Sequence, residues 1–149
     1  MYRWQLQLKY LKSTMTIVLS IIVCTYNRES LLPLCLQSLT DQAIDKRLYE
    51  VIVVNNNSTD GTQEVAESFA EMSKNLRVVL ERRQGLSHAR NRGWMEAQGK
   101  FVAYIDDDAI AWPDWIYSIL DFIKRHPDSG IRSHNCVQNR NKSENPDRR

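Results

Sequence analysis

Residues 51–62 read Val51-Ile52-Val53-Val54-Asn55-Asn56-Asn57-Ser58-Thr59-Asp60-Gly61-Thr62. Four β-branched apolar residues run straight into a block of polar turn formers. An unbroken apolar run, rather than an alternating one, suits a strand buried on both faces, as in a parallel sheet covered by helices. The polar block reads as a strand-to-helix loop, with Thr59 or Asp60 placed to cap a helix that runs to about Met72. Val65, Phe69 and Met72 supply that helix's apolar stripe. A cap needs one or two such residues. Three asparagines in a row exceed that need, and amides at a strand's carboxyl end are able to hydrogen-bond the edge of a base.

The same strand–loop–helix grammar extends both ways. Upstream, Ile17–Cys24 is a strand candidate, followed by Thr25-Tyr26-Asn27-Arg28 and a helix over Glu29–Asp41. Leu31, Cys35 and Leu39 share one face of that helix, and Pro33 is tolerated in its first turn. The strand of the opening stretch is taken as Glu50–Val54. Downstream, Leu76–Leu80 leads through Glu81-Arg82-Arg83-Gln84-Gly85 into a helix over Leu86–Gln98, with Gly99 as its stop. Lys100–Ile105 then leads through Asp106-Asp107-Asp108 to a helix beginning at Pro113. Such alternation predicts right-handed βαβ units around a parallel sheet, an α/β Rossmann-like fold. Ligands of these sheets bind beyond the strands' carboxyl ends, so the loops after each strand carry the functional information.

Among those loops the acidic triplet is the strongest local signal. Three adjacent carboxylates repel one another, and helix capping accounts for only one. A hard cation such as Mg²⁺ or Mn²⁺ accounts for the group, because it takes carboxylate together with phosphate oxygens. Thr25-Tyr26-Asn27-Arg28 offers an aromatic and a cation just before a helix N-terminus, where a base and a phosphate are readily held. Arg90 and Asn91 sit in the first turns of the third helix. The helix dipole disfavours a cation there, and a nearby anion reverses that preference. His88, a lone histidine, reads first as structural.

Composition narrows the classes further. The 149 residues suffice for one domain with a core of its own. The net charge of +2 is unevenly spread. Residues 1–14 and 131–149 each carry an excess of three positive charges, and the middle, 15–130, is acidic. A nucleic-acid binder concentrates basic charge on its folded part, so nucleic acid is not an expected partner. Cys24, Cys35 and Cys136 have neither metal-ligand spacing nor an even count, and read as reduced thiols of a cytoplasmic protein. The longest apolar run, Ile17–Cys24, is too short to span a bilayer, which takes about 20 residues. The segment 1–14 alternates apolar and basic residues, which suits either a ragged extension or a peripheral contact with the inner face of a membrane. From Ile131 onward the chain is rich in Asn, Arg and Ser and reads as a disordered tail.

Taken together, Ile22-Val23-Cys24-Thr25-Tyr26-Asn27-Arg28, Val51 to Thr62, Gly85-Leu86-Ser87-His88-Ala89-Arg90-Asn91-Arg92-Gly93 and Tyr104-Ile105-Asp106-Asp107-Asp108-Ala109 resemble glycosyltransferase family 2, in the family's order and spacing across 17–130. The resemblance implies a GT-A fold, a nucleotide-diphosphate sugar donor, a divalent metal and a glycosyl acceptor that it does not identify. It places Thr25, Tyr26, Asn27, Arg28, Asn55, Asn56, Ser58, Asp60, Arg90, Asn91, Asp106 and Asp107 around the donor, and Asp108 with Asp106 on the metal. Asn55 stands where the family usually has an aspartate against the base, which leaves the base open. Family members are usually inverting, with a carboxylate base well downstream of the acidic triplet. From Ile131 the chain fits nothing in that pattern, and the resemblance therefore reads as the donor half of a frame truncated after the fourth strand and its helix. A sugar-phosphate nucleotidyltransferase is disfavoured because Thr25–Glu29 has no glycine. A non-catalytic nucleotide-sugar-binding module stays as the other alternative.

Overall fold

The computed structural model describes residues 16–127 and the pair 138–139. The N-terminal extension, with its suggested membrane contact, most of the tail and Cys136 lie outside the described residues. Strands β1 (Leu19–Thr25), β2 (Tyr49–Asn55), β3 (Leu76–Leu80) and β4 (Phe101–Asp106) alternate with helices α1 (Leu32–Thr40), α2 (Thr62–Met72), α3 (Leu86–Glu96) and α4 (Trp115–Arg125). The strands form one sheet in the order β3-β2-β1-β4, all parallel. A fifth strand, β5 (Gln138–Asn139), pairs antiparallel with β4. Nothing in the sequence pattern marks it. A two-residue stretch of Gln and Asn carries no apolar pattern for hydropathy to register.

Both faces of the sheet are covered, as the unbroken apolar runs require. Period-two alternation sorts the strand residues. Ile21, Val23, Val51, Val53 and Ala103 face a core that includes Leu36 of α1, Phe69 of α2 and Ile116 of α4. Ile22, Ile52, Val54 and Val102 face a smaller core under Ala89 of α3. The chain moves one way along the sheet through β1, β2 and β3, then crosses back to β4 on the far side of β1. A right-handed crossover in the reverse direction has to lie on the opposite face, which is where α3 sits.

α3 lies close because its inner face is small. A Cβ on Gly93 would stand 2.5 Å from Ile22 Cγ2 and 3.2 Å from Val54 Cγ2. Overpacking of this kind typically costs about 1–3 kcal/mol, and alanine's better helix propensity returns up to about 1. Gly93→Ala is therefore expected to lose roughly 1–2 kcal/mol in urea unfolding. A variant as stable as the parent would mean that α3 does not seat on the sheet at this contact.

Element ends differ from the sequence reading in ways the hydrogen bonds explain. The Arg28 carbonyl accepts from both Leu31 and Leu32 N–H, at 3.1 and 2.9 Å, so residues 29–31 form a turn before α1 starts. α3 ends at Glu96, not Gln98. Gly99 is not its terminator: its N–H donates to Ser20 Oγ at 2.8 Å.

Candidate functional site

The sheet order reverses direction between β1 and β4, and such a switch point opens a crevice beyond the carboxyl ends of the two strands. The register aligns Cys24 with Asp106 and Thr25 with Asn55, so three of the four motif loops leave the sheet side by side. Arg28 Nε stands 3.9 Å from Asp107 Oδ1. The cation after β1 and the acidic triplet after β4 thus meet at the crevice although 79 positions separate them.

The triplet is not uniform. Asp106 and Asp108 are exposed or nearly so at the strand end, whereas the Asp107 side chain is only 13 % exposed. Burial pushes the Asp107 carboxyl above its ordinary value, and the neighbouring Asp108 and Asp106 add to this. Thr25 and Arg28 pull the other way. Thr25 Oγ1 is itself buried and lacks a hydrogen bond of ordinary geometry, though it stands close enough to Asp107 to favour the ionised form. An uncompensated excess of carboxylate therefore lines the crevice. Among the described residues no three acidic, His or Cys groups form a ready metal cage. Hard oxygen donors in this number fit a cation held by one or two carboxylates and completed by phosphate oxygens.

The loops after β1 and β2 are stitched together. Asn27 N–H donates to Ser58 Oγ at 3.0 Å, and Asn27 Oδ1 accepts from Thr59 N–H at 2.8 Å. Arg28 N–H donates to Thr62 Oγ1 at 2.8 Å, and Asp60 accepts from Glu29 N–H at 3.3 Å and Thr62 N–H at 3.1 Å. The Thr62 hydroxyl, with these backbone N–H groups, holds the Asp60 carboxyl below its ordinary value. Asn27, Ser58 and Asp60 thereby hold Tyr26 and Arg28 at the crevice. Tyr26 is 45 % exposed, with its ring free to meet a ligand.

The three asparagines have three different tasks. Asn55 is buried; its Nδ2 donates to Gln63 Oε1 at 2.6 Å and its Oδ1 accepts from Ser58 N–H at 2.9 Å. One amide hydrogen and one lone pair remain for a ligand. Asn56 is committed to the loop after β3. Asn57 takes φ 62, a left-handed conformation that asparagine tolerates better than most residues.

The fourth motif comes in from the other face. Arg90 and Asn91 are exposed on α3, and the Arg90 carbonyl accepts from Tyr104 Oη at 3.1 Å, tying that turn of the helix to β4. The Glu81 carboxylate accepts from the Arg83 N–H at 2.8 Å and is kept below the usual carboxylate range by that bond. Burial raises the Cys24 and Cys35 thiols to about 12, which fits unreactive core thiols. Two open clefts lie elsewhere. One of about 690 Å³ sits at the opposite pole against Tyr49, Met72 and Lys74, and one of about 730 Å³ runs along β3 against Arg77, Arg83 and Arg92. Neither includes the β1 or β4 loop.

Residues the sequence reading passed over lie at that opposite pole. Buried Glu50 accepts from Ser20 Oγ and Gln98 N–H, both at 2.6 Å, and from Arg77 Nε at 3.2 Å. A glutamate opening a strand buried on both faces, with an arginine in the next, was the available signal.

Comparison with known proteins agrees with this fold. The sequence profile of glycosyl transferase family 2 matches residues 20–147. The match extends past Gly130, where the sequence reading found nothing of the family's pattern; strand β5 falls in that stretch. Glycosyltransferase AglE of Haloferax volcanii is 37 % identical over 98 residues, covering 65 % of this chain and 32 % of AglE. TarS 1–349 of S. aureus superposes with a TM-score of 0.70 at 32 % identity, covering 74 % of this chain and 33 % of that one. A second form of it holds UDP-GlcNAc. Mannosyltransferase PcManGT of Pyrobaculum calidifontis, in complex with GDP-Man and Mn²⁺, gives 0.66 at 28 % identity, covering 82 % and 39 %. The chain spans about a third of the length of the curated relatives it matches. With the sheet order, the switch-point crevice and the four motif loops all in place, the chain belongs to glycosyl transferase family 2 and has its GT-A fold.

Proposed function

We propose that this chain forms the donor-binding part of a glycosyltransferase that moves a glycosyl group from a nucleotide-diphosphate sugar to an acceptor hydroxyl. The observation that carries the reading is the convergence of Arg28 and the acidic triplet at the switch point. Tyr26 offers a ring for the base, and Asn55 its remaining amide hydrogen. Asp106 and Asp107 meet the ribose, and Arg90 and Asn91 approach the diphosphate from α3. Asp108, with Asp106, holds Mg²⁺ or Mn²⁺. When bound, that cation stabilises the leaving diphosphate as charge gathers on it.

In the inverting reaction the acceptor oxygen forms a bond to the anomeric carbon as the bond from that carbon to the diphosphate oxygen breaks. The acceptor proton goes to a carboxylate base. The family resemblance places that base downstream of the acidic triplet. Relatives in complex with UDP-GlcNAc and with GDP-Man carry two different bases, so family membership alone does not fix the base. No helix among the described residues is long and apolar enough to cross a membrane. Work in the cytoplasm is part of the proposal, and the free Cys24 and Cys35 are compatible with a reducing compartment.

The test is calorimetric titration with UDP- and GDP-sugars in Mn²⁺. The parent is expected to bind one class saturably. Arg28→Ala is expected to bind about tenfold more weakly, the lower end for a lost charged hydrogen bond because Arg28 is half exposed. A parent that binds neither class would sink the reading.

A further inference from the structure

We propose that Asn56 is a positioning residue: its carboxamide fixes the loop between β3 and α3 and, through Gly85, sets where α3 holds Arg90 beside the strand ends. The inference rests on the donor-binding reading above and assigns Asn56 a part in it other than touching the donor. Asn56 is 5 % exposed. Its Nδ2 donates to the Glu81 carbonyl at 3.1 Å and to the Arg83 carbonyl at 2.7 Å, and its Oδ1 accepts from Gly85 N–H at 2.8 Å. Both amide hydrogens are thus in use, and a ligand would have to break one of these bonds to reach them. The backbone of the same residue ties the end of β1 to this loop: its N–H donates to the Thr25 carbonyl at 2.8 Å, and its carbonyl accepts from Gln84 Nε2 at 3.2 Å.

The chemistry of the strut is specific to a short carboxamide. Aspartate has the same shape and no hydrogens to donate, so it would face two carbonyls with an anion. Glutamine is one methylene too long for a buried pocket. At the far end stands Gly85 with φ 130, a conformation that residues bearing a Cβ rarely take. Gly85 directly precedes α3, and its carbonyl accepts from His88 and Ala89 N–H at 3.0 and 3.1 Å, so the strut and the first turn share one residue. Gly93 seats the middle of α3 on Ile22 and Val54. Ala89 packs in the same core, and Tyr104 Oη ties the Arg90 turn to β4, but neither holds the helix's amino end. The Asn56–Gly85 contact fixes that amino end, and Arg90 lies between it and Gly93.

Asn56→Ala, Asn56→Asp, Arg90→Ala and the double variant Asn56→Ala/Arg90→Ala test this by titration with UDP and GDP in Mn²⁺, alongside thermal midpoints and amide hydrogen exchange. Each single variant is expected to bind about tenfold more weakly, and the double no more than about twofold worse than either, because both act through Arg90. Asn56→Asp should resemble Asn56→Ala rather than the parent. Exchange protection should fall at His88 and Ala89 and persist in α1. Additive losses in the double variant would overturn the proposal and make Asn56 an independent contact. So would a lowered midpoint with unchanged affinity, or a uniform loss of protection. A parent that binds neither nucleotide refutes the donor reading instead, and hydrogen exchange then decides by itself whether Asn56 holds α3.

Discussion

Glu50→Ala is expected to lose about 3–5 kcal/mol of folding stability, with nucleotide binding by the folded protein unchanged. Glu50 is 4 % exposed and is the common acceptor for Ser20 Oγ, Gln98 N–H and Arg77 Nε. Truncation leaves the buried Ser20 hydroxyl without its acceptor, at about 1–3 kcal/mol, and costs the part-buried Gln98 N–H its partner as well. It also removes one partner of a mostly buried ion pair, for which the typical loss is about 3–5 kcal/mol. The terms overlap rather than add. Arg77 keeps Glu96 at 3.0 Å, and this holds the total within that range. Glu50→Gln preserves an acceptor oxygen for Ser20 and Gln98 and should lose less than half as much. The exposed Glu71→Ala, by contrast, should change stability by no more than about 0.5 kcal/mol. Urea denaturation of the three variants decides the matter; a Glu50→Ala midpoint level with that of Glu71→Ala would show that the network contributes nothing. The network lies at the amino ends of the strands, away from the crevice, so a parallel loss of nucleotide affinity would show that the two ends of the sheet are coupled.

This network also marks where sequence reading stops. The unbroken runs at Ile21–Val23, Val51–Val54 and Val102–Ala103 were legible as doubly buried strands because apolar residues without alternation have few other uses. The loops were legible because polar turn formers gather at the carboxyl ends, where a parallel sheet puts its ligands. Partnership across the sheet was not. That Glu50 meets Arg77 follows from the register Ile52↔Arg77, which is set by side-chain packing along the whole pair of strands and by no local motif. The asparagine run shows the same limit at closer range. Three adjacent amides looked like one ligand-binding device. The structure gives one a loop-holding bond to Gln63, commits the second to the β3–α3 loop, and uses the third for its left-handed backbone. A single sequence names the chemistry available at a loop. It does not tell how much of that chemistry the loop itself consumes.

Withdrawal of divalent cation is expected to weaken donor binding by about a hundredfold, and Asp108→Ala is expected to erase most of that dependence. A diphosphate arrives as an anion at a crevice already lined by Asp106, Asp107 and Asp108. The nearest cationic side chain, Arg28, stands 3.9 Å from only one of them. Two unit charges of like sign about 5 Å apart repel by roughly 3 kcal/mol at the effective dielectric of a protein surface, equivalent to about a hundredfold in affinity. A cation shared between carboxylate and phosphate turns that repulsion into attraction. The parent should therefore bind tightly in Mn²⁺ and poorly in chelator. Asp108→Ala loses the shared cation and one repelling charge together. Its affinity in Mn²⁺ should fall well below the parent's, while in chelator it should equal or exceed the parent's. That crossing of the two variants is the discriminating sign, because a merely damaged fold would bind worse under both conditions. Titration of a nucleoside diphosphate against parent and variant, each with Mn²⁺ and with chelator, reads it directly. Equal affinity in all four measurements would remove the cation from the site and leave the three aspartates as a solvated loop.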